Sequence, residues 1–378
     1  MPLLHTEDQT ILADTVRSFL AEQAPVGHMR ALRDADDKSG FSPDLWKRFA
    51  ELGLNGILLD ESDGGSGLGH VEAGIVLEEI GRNLTPSPFL LTAVGAVTAL
   101  KGGSSDQRQA WLPQICAGDA VGTLALDESA RHRPERIGLK AERVGSSFRL
   151  VGEKRFVTYG HVADFLIVAA RTAGADDEQL GVTLFLVESD ATNLTAQAER
   201  LIDASLAARL TFDGVQVSAD AAIGEVDDGF SGLMKVLSAL RAGTAAEMVG
   251  LGSRALDMTI DYLKQRMQFG CVIGSFQALQ HRAAHLYAEM EVARAAVLKA
   301  QQLLDGDEDR AEQAVMVAKA TTGLASALAV QEGVQMHGGI GMTDEYDIGL
   351  YMKRQRVLAE LFGDADYHAN RLAQFAGY

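Results

Sequence analysis

RMQFGCVIGSFQALQHRAA, residues 266–284, is the stretch that decides how this chain folds. A helix-forming run ends at Arg266. Phe269-Gly270 then turns the chain, because Gly accepts the left-handed backbone that a tight reversal needs. Phe276-Gln277 opens a second helix. Two long helices joined by so short a link pack as antiparallel neighbours. Taken singly, the corner also has an ordinary reading, with Arg266 facing the negative end of its own helix.

Outward from the corner, residues 223–378 keep the same style. Segments 229–270, 276–304 and 309–337 are Ala-rich and amphipathic, which predicts an up-and-down helical bundle. Small residues in AVMVAKATTGLASALAV (314–330) let helices approach closely. Residues 119–222 change period. GTLALD, SSFRLVGEKRFVTYG, DFLIVAAR, GVTLFLVE and ARLTFDGVQV are short β-branched or aromatic runs separated by turn residues, which predicts a small β module. Residues 1–118 read as helical. Thr6 followed by Gln9 is a capping box, and Ile11, Leu12, Val16, Phe19 and Leu20 follow at helical spacing. Ser42-Pro43 opens another helix. DGGSGLG (63–69) is a glycine-rich loop and not a GxGxxG turn after a strand, so it carries no dinucleotide fingerprint. The chain therefore reads as α+β, divided at 1–118, 119–222 and 223–378.

The composition narrows the function classes. With 47% hydrophobic and 23% charged residues, the 378-residue chain can bury a sizeable core. No run reaches the roughly 18 consecutive apolar residues of a membrane span. The opening MPLLHTEDQT has no basic segment before an apolar one, so neither membrane nor export is expected. Cys116 and Cys271 stand far apart, as structural thiols of a cytoplasmic protein do. The His residues show no metal-binding spacing, and no metal is expected. A net charge of −18 argues against nucleic acid or anionic lipid as a partner. A phosphate-rich ligand would need local Arg clusters or helix N-termini.

Two more stretches carry chemistry: VQMHGGIGMTDEYDIGLYMKR (334–354) and VGEKRFVTYGHVADFLIVAAR (151–171). Each alone passes for a turn or a hairpin. Together with the corner, and in this order around a β module, they resemble the acyl-CoA dehydrogenase family over essentially the whole chain. Its R-x-x-F-G-x-x-I-x-x-F-Q-x-x-Q-H pattern is matched by Arg266, Phe269, Gly270, Ile273, Phe276, Gln277, Gln280 and His281. Its Q-x-H-G-G-x-G pattern is matched by Gln335, His337, Gly338, Gly339 and Gly341.

The resemblance implies an N-terminal α-helical domain, a β-barrel-like middle domain and a C-terminal four-helix bundle. It implies FAD held between the middle and C-terminal domains and across a dimer interface. Arg266 and Gln335, with Gly338 and Gly339, would meet the pyrophosphate of an FAD on a neighbouring subunit. Arg supplies paired donors, and Gly lets the backbone come close. Phe269 would pack near the adenosine, and Gln277 belongs to the same set. Phe156-Val157-Thr158 matches the family's aromatic-x-Thr beside the flavin ring, with Thr158 near N5. An acyl-CoA substrate, electron-transfer flavoprotein as acceptor, a role in fatty acid metabolism, and a dimer or tetramer of like or unlike chains follow from the same resemblance.

The family removes an α-proton with a carboxylate while flavin N5 takes the β-hydride. Its base is a Glu at one of two places. Counted without gaps from Glu345-Tyr346, the first place is Phe362, in LAELFGDADYH (358–368), with Gly363 and Asp364 after it. Counted back from Arg266, the second is Leu240, beside a matching Arg241. Both are apolar here. Phe362 keeps a backbone N–H that can donate to a thioester oxygen. Two carboxylates stand as candidate bases. Glu247 lies on the face of Leu240 but about 10 Å along the axis, and is alternatively a buried partner for an Arg. Asp364 adjoins the lost base, and is alternatively a helix cap or a dimer contact. Glu360 faces away from Phe362.

A second departure lies at LDESARHRPER (126–136). Asp127 and Glu128 align with the family's Thr-Glu, its Gly-Ser pair is gone, and Arg131, Arg133 and Arg136 stand instead. These arginines either meet CoA phosphates or form a solvated loop. Three readings remain open: a dehydrogenase with an unusual base, a non-catalytic or half-site FAD-binding subunit whose partner chain bears the Glu, and a flavin-dependent monooxygenase on the same scaffold.

Overall fold

The computed structural model describes residues 2–378, the side chains of residues 308 and 309 excepted. The first third is helical: α1 (Glu7–Gln23), α2 (Val26–Asp34), α3 (Pro43–Glu51), α4 (His70–Asn83), α5 (Val97–Leu100) and α6 (Ser105–Cys116). Strands follow: β1 (Gly122–Ala125), β2 (Lys140–Val144), β3 (Ser147–Thr158), β4 (Phe165–Arg171), β5 (Val182–Glu188), β6 (Leu194–Arg200), β7 (Leu206–Ser218) and β8 (Ala222–Ile223). The last part returns to helices with α7 (Phe230–Gln265), the small hairpin β9 (Met267–Gln268) and β10 (Cys271–Val272), then α8 (Gln277–Gly306), α9 (Glu308–His337), α10 (Ile348–Glu360) and α11 (Ala365–Phe375). This is the α+β class expected from the sequence, in the expected order of helices, sheet and helices.

Local signals act as read. Thr6 Oγ1 accepts the Gln9 N–H at 3.2 Å, and Gln9 Oε1 accepts the Thr6 N–H at 3.0 Å, which closes the capping box of α1. Ser42 caps α3 through the Leu45 N–H, with Pro43 as its first helical residue. The corner is a two-residue hairpin. Phe269 and Gly270 both have positive φ, at 53° and 77°, as a turn matched to the strand twist requires.

The sheet runs β6-β7-β3-β2-β4-β5-β8, with β1 added in parallel to β4. β4 is buried at every position, so Phe165–Ala170 reads as one apolar run without alternation, closed by the buried Arg171. β3 carries two register shifts against β7, one of them between Lys154 and Val157. That shift releases Phe156 from the ladder at φ 54°.

The chain forms two compact units. One joins the segment ending at Ala31 with His70–Thr85 and Arg241–Tyr378; the other joins Leu32–Gly69 with Pro86–Leu240. The N-terminal helices thus contribute to both. In the first unit, α4 lies backbone to backbone on α7. A Cβ on Gly81 would stand 2.1 Å from the Glu247 carbonyl oxygen, and one on Gly250 would stand 1.8 Å from that of Glu78. Glycine is what permits the approach. The stretch Arg310–Met342 is long and apolar enough to cross a membrane, and 56% of its most apolar window is buried inside the unit, as in a core helix.

Candidate functional site

The turn between α10 and α11 gathers more buried polar groups than its sequence suggests. Phe362 is 7% exposed and has φ +59°, and Gly363 follows at φ +102°. A left-handed backbone at a bulky residue costs roughly 1–2 kcal/mol and persists only where neighbours impose it. Two buried cations do so. Arg241 Nε donates to the Phe362 carbonyl at 3.0 Å. Lys319 Nζ donates to the carbonyls of Leu358, Ala359 and Gly363 at 3.1, 2.9 and 2.9 Å. The first two end α10 and would otherwise be orphaned, and the third belongs to the turn that follows.

Burial pulls the Lys319 ammonium down to about 7, and the nearby Arg241 charge pulls the same way against Asp364 and Glu360. Burial also lowers the Arg241 guanidinium, opposed by its hydrogen bond to Tyr367. Beneath the turn, a Cβ on Gly363 would meet the rings of Tyr367 and His368 at 2.5 and 2.9 Å. Among the described residues the Phe362 N–H makes no hydrogen bond.

Both candidate carboxylates are engaged elsewhere. Asp364 caps α11, its Oδ1 accepting the Tyr367 N–H at 2.7 Å. Glu247 is 3% exposed, and its Oε1 accepts Arg354 Nε and Nη2 at 2.9 and 2.7 Å. Glu360 pairs loosely with Arg356 in solvent. Leu240 is fully buried. A Cβ on Gly95 would come within 2.9 Å of Leu240 and 2.6 Å of Leu124, so its surroundings are apolar.

The remaining residues fall in two groups. In the helical unit, Arg266 and Gln277 are exposed on either side of the hairpin, and Phe269 is 90% exposed with its ring edge-on to Phe276. Gln335, Gly338 and Gly339 are exposed at the end of α9, where Gly338 has φ +65° and a Cβ on either glycine would meet open space. His337 stacks between Tyr262 of α7 and Tyr346, at 4.5 and 4.6 Å. The corner and the paired glycines therefore sit at the same end of the bundle. In the other unit, Phe156 is 41% exposed beside the bulge, and the Thr158 carbonyl accepts Thr123 Oγ1 at 2.7 Å.

Sequence reasoning missed Lys319, Lys154 and Tyr367. Lys154 is fully buried and donates to Leu126 O at 3.0 Å and Glu128 Oε1 at 2.7 Å, which ties β3 to the segment after β1. Burial lowers its ammonium while Glu128 raises it. The one available signal for Lys319 was a single charge inside an apolar, Ala-rich run.

Models of the acyl-CoA dehydrogenase N-terminal, middle and C-terminal domains match residues 6–119, 135–215 and 227–377. The chain belongs to the acyl-CoA dehydrogenase family. It is 32% identical over 362 residues to acyl-CoA dehydrogenase FadE12 of Mycobacterium tuberculosis, covering 94% of this chain and 92% of that one. Among solved structures it is similar to the Tcur3481–Tcur3483 steroid ACAD variant, with a TM-score of 0.88, 32% identity and 98% of each chain covered. It is also similar to a glutaryl-CoA dehydrogenase from Mycobacterium smegmatis in complex with FADH2, with a TM-score of 0.88, 25% identity, and 99% and 95% of the two chains covered. As a member of this family of flavoproteins, this acyl-CoA dehydrogenase is an oxidoreductase acting on acyl-CoA.

Proposed function

We propose that this chain is a subunit of an FAD-dependent acyl-CoA dehydrogenase, and that a second chain supplies the acceptor for the substrate α-proton. The observation that carries the reading is the turn at Phe362. A phenyl ring stands where the resemblance counts the family's carboxylate, the other position so counted is the buried Leu240, and Asp364 and Glu247 are committed to a helix cap and an ion pair. The name Tcur3481–Tcur3483, which pairs two proteins, is consistent with such an enzyme. Segments 1–118, 119–222 and 223–378 serve in this proposal as its three working parts.

The residues present fit FAD. Arg266 is an exposed guanidinium, Gly338 and Gly339 leave open space at the backbone, and the exposed rings of Phe269 and Phe156 offer apolar faces. In the proposal Arg266, Gln277, Gln335, Gly338 and Gly339 bind the dinucleotide of a neighbouring subunit, and Phe156 and Thr158 flank the ring of the FAD held by their own chain. When bound, FAD supplies the hydride acceptor for α,β-desaturation, and electron-transfer flavoprotein is the proposed acceptor beyond it.

Phe362 contributes its backbone. Its free N–H is the donor proposed for the thioester oxygen, which gains charge as the α-proton leaves. Arg241 and Lys319 hold the carbonyls of the turn and so fix that N–H. The exposed apolar side chains Met267, Phe269 and Met342 support an oligomer.

The test is anaerobic mixing with a panel of acyl-CoA esters, steroid esters included. The chain alone is expected to keep its flavin colour. The same chain co-purified with a Glu-bearing partner is expected to bleach.

A further inference from the structure

The arginines of the loop 127–138 have no part in the proposed function, and their two readings, a phosphate contact or a solvated loop, stand open. The loop links β1 to β2 and lines a cleft of about 590 Å3, within the usual range of small-ligand sites. Arg131, Arg133 and Arg136 line this cleft. All three are exposed, and among the described residues none has an ion pair through its guanidinium.

Three carboxylates share the cleft, and one of them is matched by a buried ammonium. Glu128 accepts the Gly138 and Leu139 N–H groups at 2.8 and 2.9 Å and the Lys154 ammonium at 2.7 Å. Asp127 Oδ1 lies 2.9 Å from His132 Nδ1. With Glu128 matched by Lys154, three guanidiniums stand against Asp127 and Asp176, an excess of one positive charge in a chain of net charge −18. The loop is also well anchored. Pro134 is buried, the Arg136 N–H donates to Arg133 O at 2.9 Å, and the Ile137 N–H donates to Asp176 O at 2.8 Å.

We propose that this cleft binds the phosphates at the nucleotide end of coenzyme A, the ribose 3′-phosphate and the 5′-diphosphate. The proposal rests on the acyl-CoA reading. The nucleotide is the strongly anionic part of that ligand, and an acidic protein needs a local cationic patch to hold it. Guanidinium forks match phosphate oxygens in pairs. A free nucleotide offers the same chemistry, and the 3′-phosphate tells the two apart.

The experiment is calorimetric titration of the full chain with 3′-phosphoadenosine 5′-diphosphate at fixed ionic strength. The wild type binds it, and the combined variant R131Q, R133Q and R136Q binds roughly tenfold more weakly or worse. A control combining R149Q, R310Q and R356Q, all outside the cleft, binds as the wild type does. Adenosine 5′-diphosphate binds severalfold more weakly than the 3′-phosphorylated probe. If the combined variant folds poorly, the single changes R131Q and R136Q carry the test, each with a severalfold loss.

The proposal is overturned if the wild type does not bind, or if the cleft variant binds as the wild type does. It also falls if the control loses as much affinity as the cleft variant, or if the 3′-phosphate makes no difference. Because no flavin or turnover is read, a protein that binds the probe through these arginines yet is not reduced by any acyl-CoA even when co-purified with a Glu-bearing partner sinks the dehydrogenase reading and not this one.

Discussion

Lys319 Nζ lies 2.9 Å from the carbonyl oxygen of Gly363, in the interior of the helical unit. The same ammonium reaches two carbonyls at the end of α10, so all three of its protons are used. One side chain of α9 thereby ties the turn carrying Phe362 to the bundle. Four expectations follow from this arrangement and from the site around it.

The first concerns pH. Burial depresses the Lys319 ammonium from 10.5 to about 7 in the folded protein. Between these values the unfolded chain binds a proton that the folded chain does not, so stability rises with pH there, by at most about 1.4 kcal/mol per unit. Lys319→Met removes the titration. Chemical unfolding at pH 6 to 9 should show the stability gap between wild type and K319M widening as pH rises above 7. A gap independent of pH would mean that Lys319 does not titrate in this range. The neutral amine has two protons for three carbonyls, so the turn loosens over the same interval.

The two carboxylates near the site are expected to matter for structure and not for chemistry. Asp364→Ala removes the cap of α11 and costs about 1 kcal/mol, whereas Asp364→Asn keeps a side-chain acceptor and costs less. Glu247→Gln breaks a buried ion pair and costs about 3 kcal/mol. Flavin reduction in the co-purified enzyme should survive D364N and E247Q within a few fold. A loss on the order of 10³ in either would identify that carboxylate as the base.

Flavin retention should depend on the helix corner and the paired glycines. Arg266→Ala removes a phosphate donor, and Gly338→Ala forces a Cβ onto a backbone at φ +65°, at a cost of about 1 kcal/mol or more. Each should lower the ratio of flavin to protein absorbance after purification, while thermal unfolding of the flavin-free protein falls only slightly for R266A. Full flavin content in both variants would remove these residues from the binding site.

Much of the fold was legible because its signals are local. Thr6 with Gln9 marks a helix start, Phe269-Gly270 marks a reversal, and DFLIVAAR marks a strand buried on both faces. The residues around the turn at Phe362 were not legible in the same way. Lys319 meets its carbonyl partners only when α9 packs against the end of α10, and Lys154 meets Glu128 only across the sheet. The roles of Asp364 and Glu247 were left open by the sequence for the same reason. A cap and an ion pair are decided by who the neighbours are, and Arg354 stands 107 residues from Glu247. The seven-residue π-helical segment Leu90–Ala96 has no periodic signature that would have announced it.

The most direct test of the account is anaerobic stopped-flow mixing of the flavin-loaded chain with an acyl-CoA ester, comparing wild type with Phe362→Glu. The substitution puts a carboxylate on a turn whose carbonyls are already held by Arg241 and Lys319. The wild-type chain alone is expected to be reduced only at a background rate, and F362E at least about 100-fold faster, in line with the contribution of a positioned base. Rapid bleaching of the wild-type chain alone, with F362E no faster, would contradict the account.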